Sequence, residues 1–332
     1  MSDGQLRCWG SNAEGQLGNN STQSTNQPGY VGGLADVVAV GLGQDHVCAV
    51  TETGKLHCWG RNNYGQLGYG TGESRLQPGP VVSIPEPVES TCGGSTHTCA
   101  LANSGTVYCW GKNTDGQLGV GDNDDRLAPT PVSNLVGVKQ LACGPQFTCA
   151  VVSDDSVVCW GSNSHGQLGN GNPGVSENTP AAVPNLQGVT HLTAAGIHTC
   201  ALTGSSAWCW GSNFNGQLGD GTKVNKALPT QLTVVGPKAI VAGGGFTCVN
   251  AAQPKCWGVN SFGQLGNGNT DTQSGIVTVQ GALGEVKQLA AGGSHVCAIL
   301  ADDRLACWGG NITGQLGDGT NENRSAPVII AF

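Results

Sequence analysis

The tripeptide Cys-Trp-Gly occurs seven times in this chain of 332 residues, and no other feature limits the possible folds so strongly. Consecutive copies begin 47 to 51 residues apart, and each is followed by an asparagine and then by Gly-Gln-Leu-Gly in a fixed frame. A unit of this length that recurs along a whole chain is typical of propellers and solenoids, whose repeats stack on their neighbours. We therefore predict one repeat domain over residues 1–332, built around Cys8, Cys58, Cys109, Cys159, Cys209, Cys256 and Cys307.

The residues around each motif indicate short β-strands. Six motifs end a hairpin pattern, as in residues 46–50 and 56–59, where two alternating segments flank a polar turn. An apolar run precedes each hairpin, an extended segment containing proline follows the motif, and helical periodicity is absent. Four strands per repeat favour propeller blades over a solenoid, which would need capping ends and parallel stacking. The sequence predicts an all-β, seven-bladed β-propeller with about four antiparallel strands per blade.

The first repeat differs from the others because it begins inside its hairpin. It has no apolar run and no His-x-Cys segment before Cys8, while the last repeat ends after Pro327 to Ile330, where those segments would follow. We expect Met1 to mark an internal start, one blade at the chain ends to be incomplete, and Cys8 to lack a partner.

Fifteen cysteines are many for a reduced cytosolic protein, and six predicted hairpins carry one on each strand. Two such residues around a turn can lie directly opposite each other, at the separation that a disulfide needs. The predicted pairs are Cys48 with Cys58, Cys99 with Cys109, Cys149 with Cys159, Cys200 with Cys209, Cys248 with Cys256, and Cys297 with Cys307. A buried thiol that fills a small core position is the alternative, but such a position would tolerate alanine or valine in some copies.

The cysteine pattern leads to two further expectations. A protein with six stapled hairpins would be oxidised, and we expect it outside the cell or on the cell surface. Cys92 and Cys143 stand outside the pairs, without histidine or cysteine partners at metal-ligand spacing. We expect both to be buried thiols.

Charge and hydropathy argue against two kinds of partner. The chain has 14 basic and 22 acidic residues and a net charge of −8, whereas clustered lysine and arginine dominate affinity for nucleic acids. No apolar run approaches the roughly 18 residues of a membrane-spanning helix. We expect a monomer that binds a protein, with no nucleic acid and no membrane insertion.

Residues with reactive side chains recur at positions that indicate structural roles. Four histidines share one repeat position with two phenylalanines, which predicts packing between blades rather than catalysis; they are His46, His97, His198 and His295, beside Phe147 and Phe246. The motif's tryptophan and the glutamine of Gly-Gln-Leu-Gly occur in every copy, so we expect them to pack between sheets and to bond loop backbone groups. The acidic segment 122–125 lacks the central glycine and terminal glutamate of a calcium loop. We predict no catalytic residue, no metal site and no cofactor.

Two positions between the fixed asparagine and Gly-Gln-Leu-Gly vary from copy to copy. They carry aromatic and charged residues, as does the segment after Gly-Gln-Leu-Gly. Equivalent loops of a propeller lie on one face, and variable loops on a rigid scaffold are common sites of recognition. Unconstrained surface variation is the alternative explanation. We predict that a partner is bound by Tyr64, Tyr69, Asp115, His165, Phe214 and Phe262.

The motifs His-x-Cys-Ala-Leu, Cys-Trp-Gly-x-Asn-x-x-Gly-Gln-Leu-Gly and Pro-x-x-Val together resemble the repeats of the regulator of chromosome condensation family over nearly the whole chain. The resemblance implies a seven-bladed propeller. That family includes nucleotide exchange factors, chromatin-binding proteins and secreted bacterial inhibitors of β-lactamase. No repeat has an insertion long enough for an exchange-factor wedge, and the acidic charge and paired cysteines fit chromatin poorly. In architecture the chain resembles the secreted bacterial-type branch, which includes the type II β-lactamase inhibitory protein.

The sequence favours a non-catalytic scaffold that recognises a protein, or another macromolecule, through variable loops on one face. Two alternatives remain open. A propeller lyase or glycosidase would need paired acids from different blades at one end of a central channel. A structural module would be one part of a larger surface protein.

Overall fold

A computed structural model describes residues 5–281 and 283–331. These residues are all-β. They form 26 strands and no helix, and therefore no helix that is long and apolar enough to cross a membrane. Met1, and with it the expected internal start, lies outside the described residues. The chain divides into two compact units, Met1–Asn163 with Val175–Ala182 and Ser164–Gly174 with Val183–Phe332. The expectation of a single domain stays a prediction.

The first unit contains one two-stranded and three four-stranded antiparallel sheets. The two-stranded sheet pairs β1 (Arg7–Gly10) with β2 (Thr25–Tyr30). The next blade contains β3 (Val37–Leu42), β4 (His46–Thr51), β5 (Leu56–Gly60) and β6 (Arg75–Pro80). The following blade contains β7 (Val88–Gly93), β8 (His97–Ala102), β9 (Val107–Gly111) and β10 (Arg126–Pro131). The last blade of this unit contains β11 (Gln140–Cys143), β12 (Phe147–Val151), β13 (Val157–Gly161) and β14 (Glu177–Ala182).

The second unit contains three four-stranded antiparallel sheets with the same strand order. Its first blade contains β15 (Val189–Ala195), β16 (His198–Thr203), β17 (Ser206–Gly211) and β18 (Lys226–Leu232). The second contains β19 (Ala239–Ala242), β20 (Phe246–Asn250), β21 (Lys255–Gly258) and β22 (Gln273–Thr278). The third contains β23 (Val286–Ala291), β24 (His295–Leu300), β25 (Leu305–Gly309) and β26 (Arg324–Ile330).

The described residues therefore form six four-stranded blades, and not the seven that the motif count predicts. The remaining Cys-Trp-Gly copy lies in the sheet of β1 and β2, which correspond to the third and fourth strands of a complete blade. Among the described residues the first repeat contributes only the two strands β1 and β2. The incomplete blade that the sequence predicts is this two-stranded sheet.

All six predicted hairpin disulfides are confirmed. In each hairpin the two cysteines are direct cross-strand partners, and their Cα atoms are 4.0 to 4.2 Å apart. Cys8 is the free cysteine among the described residues, as expected. Each staple closes a short loop in the unfolded chain and so stabilises its hairpin by roughly 2 to 3 kcal/mol.

The prediction that Cys92 and Cys143 are buried thiols is wrong. They form a seventh disulfide, with Cα atoms 5.6 Å apart, between the first strands of two adjacent blades in the first unit. Ligand atoms of His97, Cys99 and Cys143 lie within 4.8 Å of one another, a proximity that the sequence spacing does not indicate. Both sulfur atoms belong to disulfides and so offer no thiolate to a metal.

Neighbouring blades are joined through the motif's tryptophan, as predicted. The indole of Trp110 is fully buried, and its Nε1 donates a hydrogen bond to the backbone oxygen of Gln66 in the preceding repeat at 2.9 Å. The hydroxyl of Thr98 donates to the same oxygen at 2.7 Å. The same tryptophan bond recurs in the second unit, from Trp257 to Gln217. These contacts fix the start of each Gly-Gln-Leu-Gly loop relative to the next blade.

The repeated histidine packs between blades, as predicted. Nε2 of His46 lies 2.8 Å from Oγ1 of Thr98 in the next blade, and His198 makes the same contact with Thr247 at 2.9 Å. Both imidazoles are at most 1% exposed. A side chain held in this way is part of the scaffold and is not available to a substrate.

Candidate binding surface

The fixed asparagine of each repeat organises the loop that follows Cys-Trp-Gly. Asn213 is fully buried; its Oδ1 accepts the backbone N–H of Leu218 at 2.9 Å, and its Nδ2 donates to Asp220 and to the backbone oxygen of Thr222. The bond to a leucine amide recurs at Asn12, Asn62, Asn113, Asn260 and Asn311. A buried amide that meets both its donor and acceptor capacity holds a loop in one conformation.

The fixed glutamine supports the second variable position of every repeat. Its Oε1 accepts the backbone N–H of the residue two positions earlier at 2.9 to 3.0 Å, and this bond is present in all seven copies. The predicted structural role of the glutamine is confirmed. Because the bond uses a backbone N–H, it can form with any side chain at the variable position. We call this asparagine and glutamine framework the loop frame.

The last glycine of Gly-Gln-Leu-Gly is required by the same packing. Gly68 has φ of +74°, and a Cβ added there would lie 2.8 Å from Nε1 of Trp110. Only glycine combines this backbone conformation with such close approach. The last glycine of Gly-Gln-Leu-Gly therefore packs directly against the tryptophan that joins the blades.

Two predicted binding residues of the first unit, Tyr64 and Asp115, lie near each other in the sequence of loops. Tyr64 makes a cation–π contact with a lysine of the next repeat, and Asp115 lies on the loop that carries this lysine. Tyr64 is half-buried, and Nζ of Lys112 from the next repeat lies 4.8 Å from the centre of its ring. Asp115, also half-buried, follows Lys112 on that loop. Sequence reasoning missed Lys112, which lies outside the variable positions and directly after Cys-Trp-Gly.

Tyr69 is held by its own blade. Its hydroxyl donates to the backbone oxygens of Cys58 and Gly79, the latter at 2.9 Å, and the Arg75 guanidinium lies 4.3 Å from the ring centre. Burial raises the pKa of this phenol to about 12. The side chain available to solvent here is the exposed Arg75.

The second unit brings two predicted residues together. The rings of His165 and Phe214 meet edge to face with centroids 5.4 Å apart, and Oγ of Ser164 lies 2.8 Å from Nδ1 of the imidazole. Phe214 is 60% exposed, although aromatic side chains normally bury most of their surface. Phe262, in the next repeat, is 36% exposed. We call His165 and Phe214 the aromatic pair.

Further exposed apolar residues occupy the same class of loop in this unit. Ile312 is 62% exposed at a variable position, and Val224 is 63% exposed in the segment after Gly-Gln-Leu-Gly. Both positions vary among the repeats. Sequence reasoning passed over them because it selected aromatic and charged residues.

Two surface pockets bear on the enzyme alternative. One, of about 340 Å³, is lined by Ser205, Ser206 and residues 231–235 and has no carboxylate. The other, of about 400 Å³, includes Lys55 and a single carboxylate, Glu86, which accepts a hydrogen bond from Tyr108 at 3.2 Å. Neither pocket contains the pair of acids that a glycosidase uses.

Four-stranded antiparallel blades that are joined within each unit by a buried tryptophan are typical of a β-propeller. Residues 1–251 match the RCC1-like domain, and residues 256–299 and 286–315 match the regulator of chromosome condensation (RCC1) repeat. The chain belongs to the RCC1-like domain family.

Two curated relatives illustrate the range of this family. The ultraviolet-B receptor UVR8 of Arabidopsis thaliana is 35% identical over 261 residues, which are 74% of this chain and 58% of the receptor. The E3 ubiquitin-protein ligase HERC2 of Homo sapiens is 33% identical over 150 residues, 43% of this chain and 3% of the ligase. The chain thus spans less than two thirds of either relative.

Solved structures agree on the fold. Human WBSCR16 superposes with a TM-score of 0.90 at 21% identity, covering 99% of this chain and 95% of that one. Yeast RCC1 (Prp20), solved with Kap60 bound, gives a TM-score of 0.88 at 20% identity, covering 99% and 84%.

Proposed function

We propose that this protein is a non-catalytic scaffold that binds a protein partner through the variable positions of its loop frames. The observation that carries the proposal is the aromatic pair. Phe214 is largely exposed on a loop whose backbone is fixed by a buried asparagine and a buried glutamine. A large apolar side chain that is rigidly presented to solvent gains contact area on binding and loses little conformational entropy.

The family context supports a protein partner. Yeast RCC1 has been solved with Kap60 bound, and a second study of Prp20p concerns its binding to Gsp1p and histones. In this chain the net charge of −8 argues against nucleic acid as the ligand. The buried, neutral histidines and the single carboxylate in the larger pocket offer no acid and base pair for catalysis.

Seven disulfides support a location outside the cell, because reducing compartments do not maintain such a set. We accordingly propose an extracellular or cell-surface protein that acts as a monomer. Its partner would then be a secreted protein or an ectodomain.

The test is affinity capture from the secreted fraction of the source organism with three forms of the protein. Phe214→Ala removes the exposed ring, while Val235→Ala truncates a residue that is 86% exposed in the loop between β18 and β19, away from the loop frames. We expect the wild type and Val235→Ala to retain the same protein, and Phe214→Ala to bind it about tenfold or more weakly. Equal retention by all three forms would reject this surface.

A further inference from the structure

Four cysteines of the first unit place two disulfides side by side. Cys92 on β7 lies directly opposite Cys99 on β8, and Cys99 lies directly opposite Cys109 on β9. Directly opposed residues of an antiparallel pair have their side chains on the same face of the sheet, so these three sulfur atoms share one face of the blade. Cys143 of the next blade is bonded to Cys92, and its Sγ lies within 4.8 Å of the Sγ of Cys99. The Cys92–Cys143 and Cys99–Cys109 disulfides are therefore neighbours.

The two neighbouring disulfides differ in their access to solvent. Cys99 and Cys109 are fully buried, whereas Cys92 and Cys143 are both half-buried. Thiol–disulfide exchange requires an incoming sulfur to reach one of the two bonded sulfurs, and exposed disulfides are the labile ones. A dissolved thiol therefore reaches the disulfide between the blades more easily than the buried disulfide of the hairpin.

The surroundings of the buried Cys99 sulfur recur at one hairpin of the second unit. Oγ1 of Thr148 lies 3.9 Å from Sγ of Cys99, and Oγ1 of Thr247 lies 3.9 Å from Sγ of Cys200. Each of these hydroxyls also lies 2.9 Å from Nε2 of a buried histidine on the strand that carries the cysteine. The histidine near the sulfur atoms thus belongs to packing that both units share, and the hairpin of Cys200 and Cys209 is a structural match for that of Cys99.

The matching hairpin has other residues where the first unit has its outer disulfide. Thr193 lies opposite Cys200, at the position of Cys92, and Ala242 lies opposite Thr247, at the position of Cys143. The residues opposite the first hairpin cysteine in the remaining blades are small or apolar; they are Gly41, Ala142, Val241 and Ala290. The outer disulfide is therefore an addition to one copy of a repeated hairpin.

We propose that the Cys92–Cys143 disulfide is a modification site for small thiols such as glutathione, and that it passes the exchange on to the buried Cys99–Cys109 disulfide. The half-buried pair admits the thiol, and the close approach of Cys143 to Cys99 carries the reaction inward. The site uses none of the variable positions, so it does not depend on the proposed function.

The exchange consists of two balanced steps. The glutathione thiolate attacks Sγ of Cys92, a bond forms between these two sulfurs, and the electron pair of the broken bond leaves on Sγ of Cys143. That sulfur then attacks Sγ of Cys99 and forms a Cys99–Cys143 bond. The sulfur of Cys109 leaves with the electron pair and takes up the proton that glutathione lost. One thiol is consumed and one is produced, so the sequence needs no oxidant or further reductant.

The test is limited exchange on the intact, folded and disulfide-bonded protein. The protein is incubated with reduced glutathione, quenched with acid, unfolded and alkylated with N-ethylmaleimide without further reductant, and the modified cysteines are mapped by mass spectrometry. We expect glutathione on Cys92 and alkylation of Cys109. The initial rate at Cys109 should exceed that at Cys209 of the matching hairpin on the order of tenfold or more, because attack on the inner disulfide is intramolecular. Cys8 is free before glutathione is added and serves as the internal reference for alkylation.

Two double variants separate transfer of the exchange from a general loosening of the unit. Cys92→Ala with Cys143→Ala removes the outer disulfide and should lower the rate at Cys109 to that of the matching hairpin, because no sulfur then reaches the buried pair from outside. Loosening alone would raise that rate. The control is Cys48→Ala with Cys58→Ala, which removes a disulfide of another hairpin in the same unit and should leave the rate at Cys109 at its wild-type value.

A single variant tests the inner step without added thiol. Cys92→Ala leaves a thiol on Cys143 beside Cys99, so we expect a Cys99–Cys143 disulfide and a free Cys109 before any glutathione is present. Three results would overturn the proposal: equal rates at Cys109 and in the matching hairpin of the wild type, a wild-type rate at Cys109 after removal of the outer disulfide, or no Cys99–Cys143 disulfide in the single variant.

Discussion

Mild acid should destabilise this protein strongly, because His46, His97 and His198 are buried as neutral imidazoles and His295 is half-buried as one. Burial lowers the pKa of His46, His198 and His295 to about 4 and that of His97, which also feels the charge of His46, to about 3. Nδ1 of His46, His97 and His198 has no hydrogen-bond partner among the described residues. A proton added at Nδ1 of His46 or His97 would therefore be buried without an acceptor.

The size of the effect follows from proton linkage. Below pH 6.5 an unfolded histidine binds a proton, whereas these folded histidines do so only near pH 4, so the free energy of unfolding falls as the pH is lowered between the two values. Within that window each histidine lowers the free energy of unfolding by about 1.4 kcal/mol for every unit by which the pH falls. The four together lower it by on the order of 5 kcal/mol per unit. A carboxylate whose pKa is lowered by folding, such as Asp318, stabilises the folded protein above its ordinary pKa of 3.8, and this stabilisation is lost only below that value. Such carboxylates therefore do not change the pH dependence of stability between the two histidine values.

The assay is guanidinium unfolding, followed by tryptophan fluorescence under oxidising conditions, at a series of values between about pH 7 and pH 5. The informative variant is His198→Phe with Thr247→Val, because Phe246 and Val296 already form this combination in the next pair of blades. We expect its pH slope to be smaller by about 1.4 kcal/mol per unit, while Thr247→Val alone keeps the full slope. A wild-type stability that is flat between pH 6.5 and pH 5 would refute the argument.

Two further predictions concern the scaffold. Asn213→Ala should cost about 2 to 3 kcal/mol in thermal or guanidinium unfolding, because it leaves the buried amide of Leu218 without an acceptor, whereas the exposed neighbour Asn215→Ala should change stability by less than about 0.5 kcal/mol. Removing the Cys92–Cys143 disulfide by double alanine substitution should cost about 4 kcal/mol, against about 3 for Cys48–Cys58, because the first closes a loop of 51 residues and the second one of 10. Equal losses of stability for the two disulfide variants would contradict the loop-closure account. Alkylation of the unfolded protein without reductant should modify Cys8 alone among the described cysteines.

Features that recur in each repeat could be predicted from the sequence, because seven copies of one unit reveal which residues the unit needs. The hairpin cysteines, the tryptophan and the glutamine all have the expected roles. Each of them makes its contact within one repeat or with the neighbouring repeat. The histidine position was interpretable for the same reason: Phe246 stands in its place elsewhere, which is compatible with packing and not with acid–base chemistry.

Features that occur once could not be predicted in this way. Cys92 and Cys143 lie at different register positions on the first strands of adjacent blades, opposite Cys99 and Thr148 respectively, so the repeat pattern does not predict their disulfide. The contact of His165 with Phe214 depends on how two loops from successive repeats approach each other, and periodicity gives no distance between them. The six complete blades depart from the seven motifs because a motif marks only the third strand of a blade, and not the presence of the other three.

The loop frame has a consequence for how such a protein can change over generations. The glutamine of the frame reaches the second variable position through that residue's backbone N–H, as from the amide of Phe262 to Gln264, so replacing the side chain there leaves this bond in place. Substitutions at these sites should therefore be close to neutral for stability while they alter what the surface recognises. The molecule separates the residues under selection for folding from those open to selection for affinity, which makes its paired variable positions suitable for randomised libraries on an unchanged propeller.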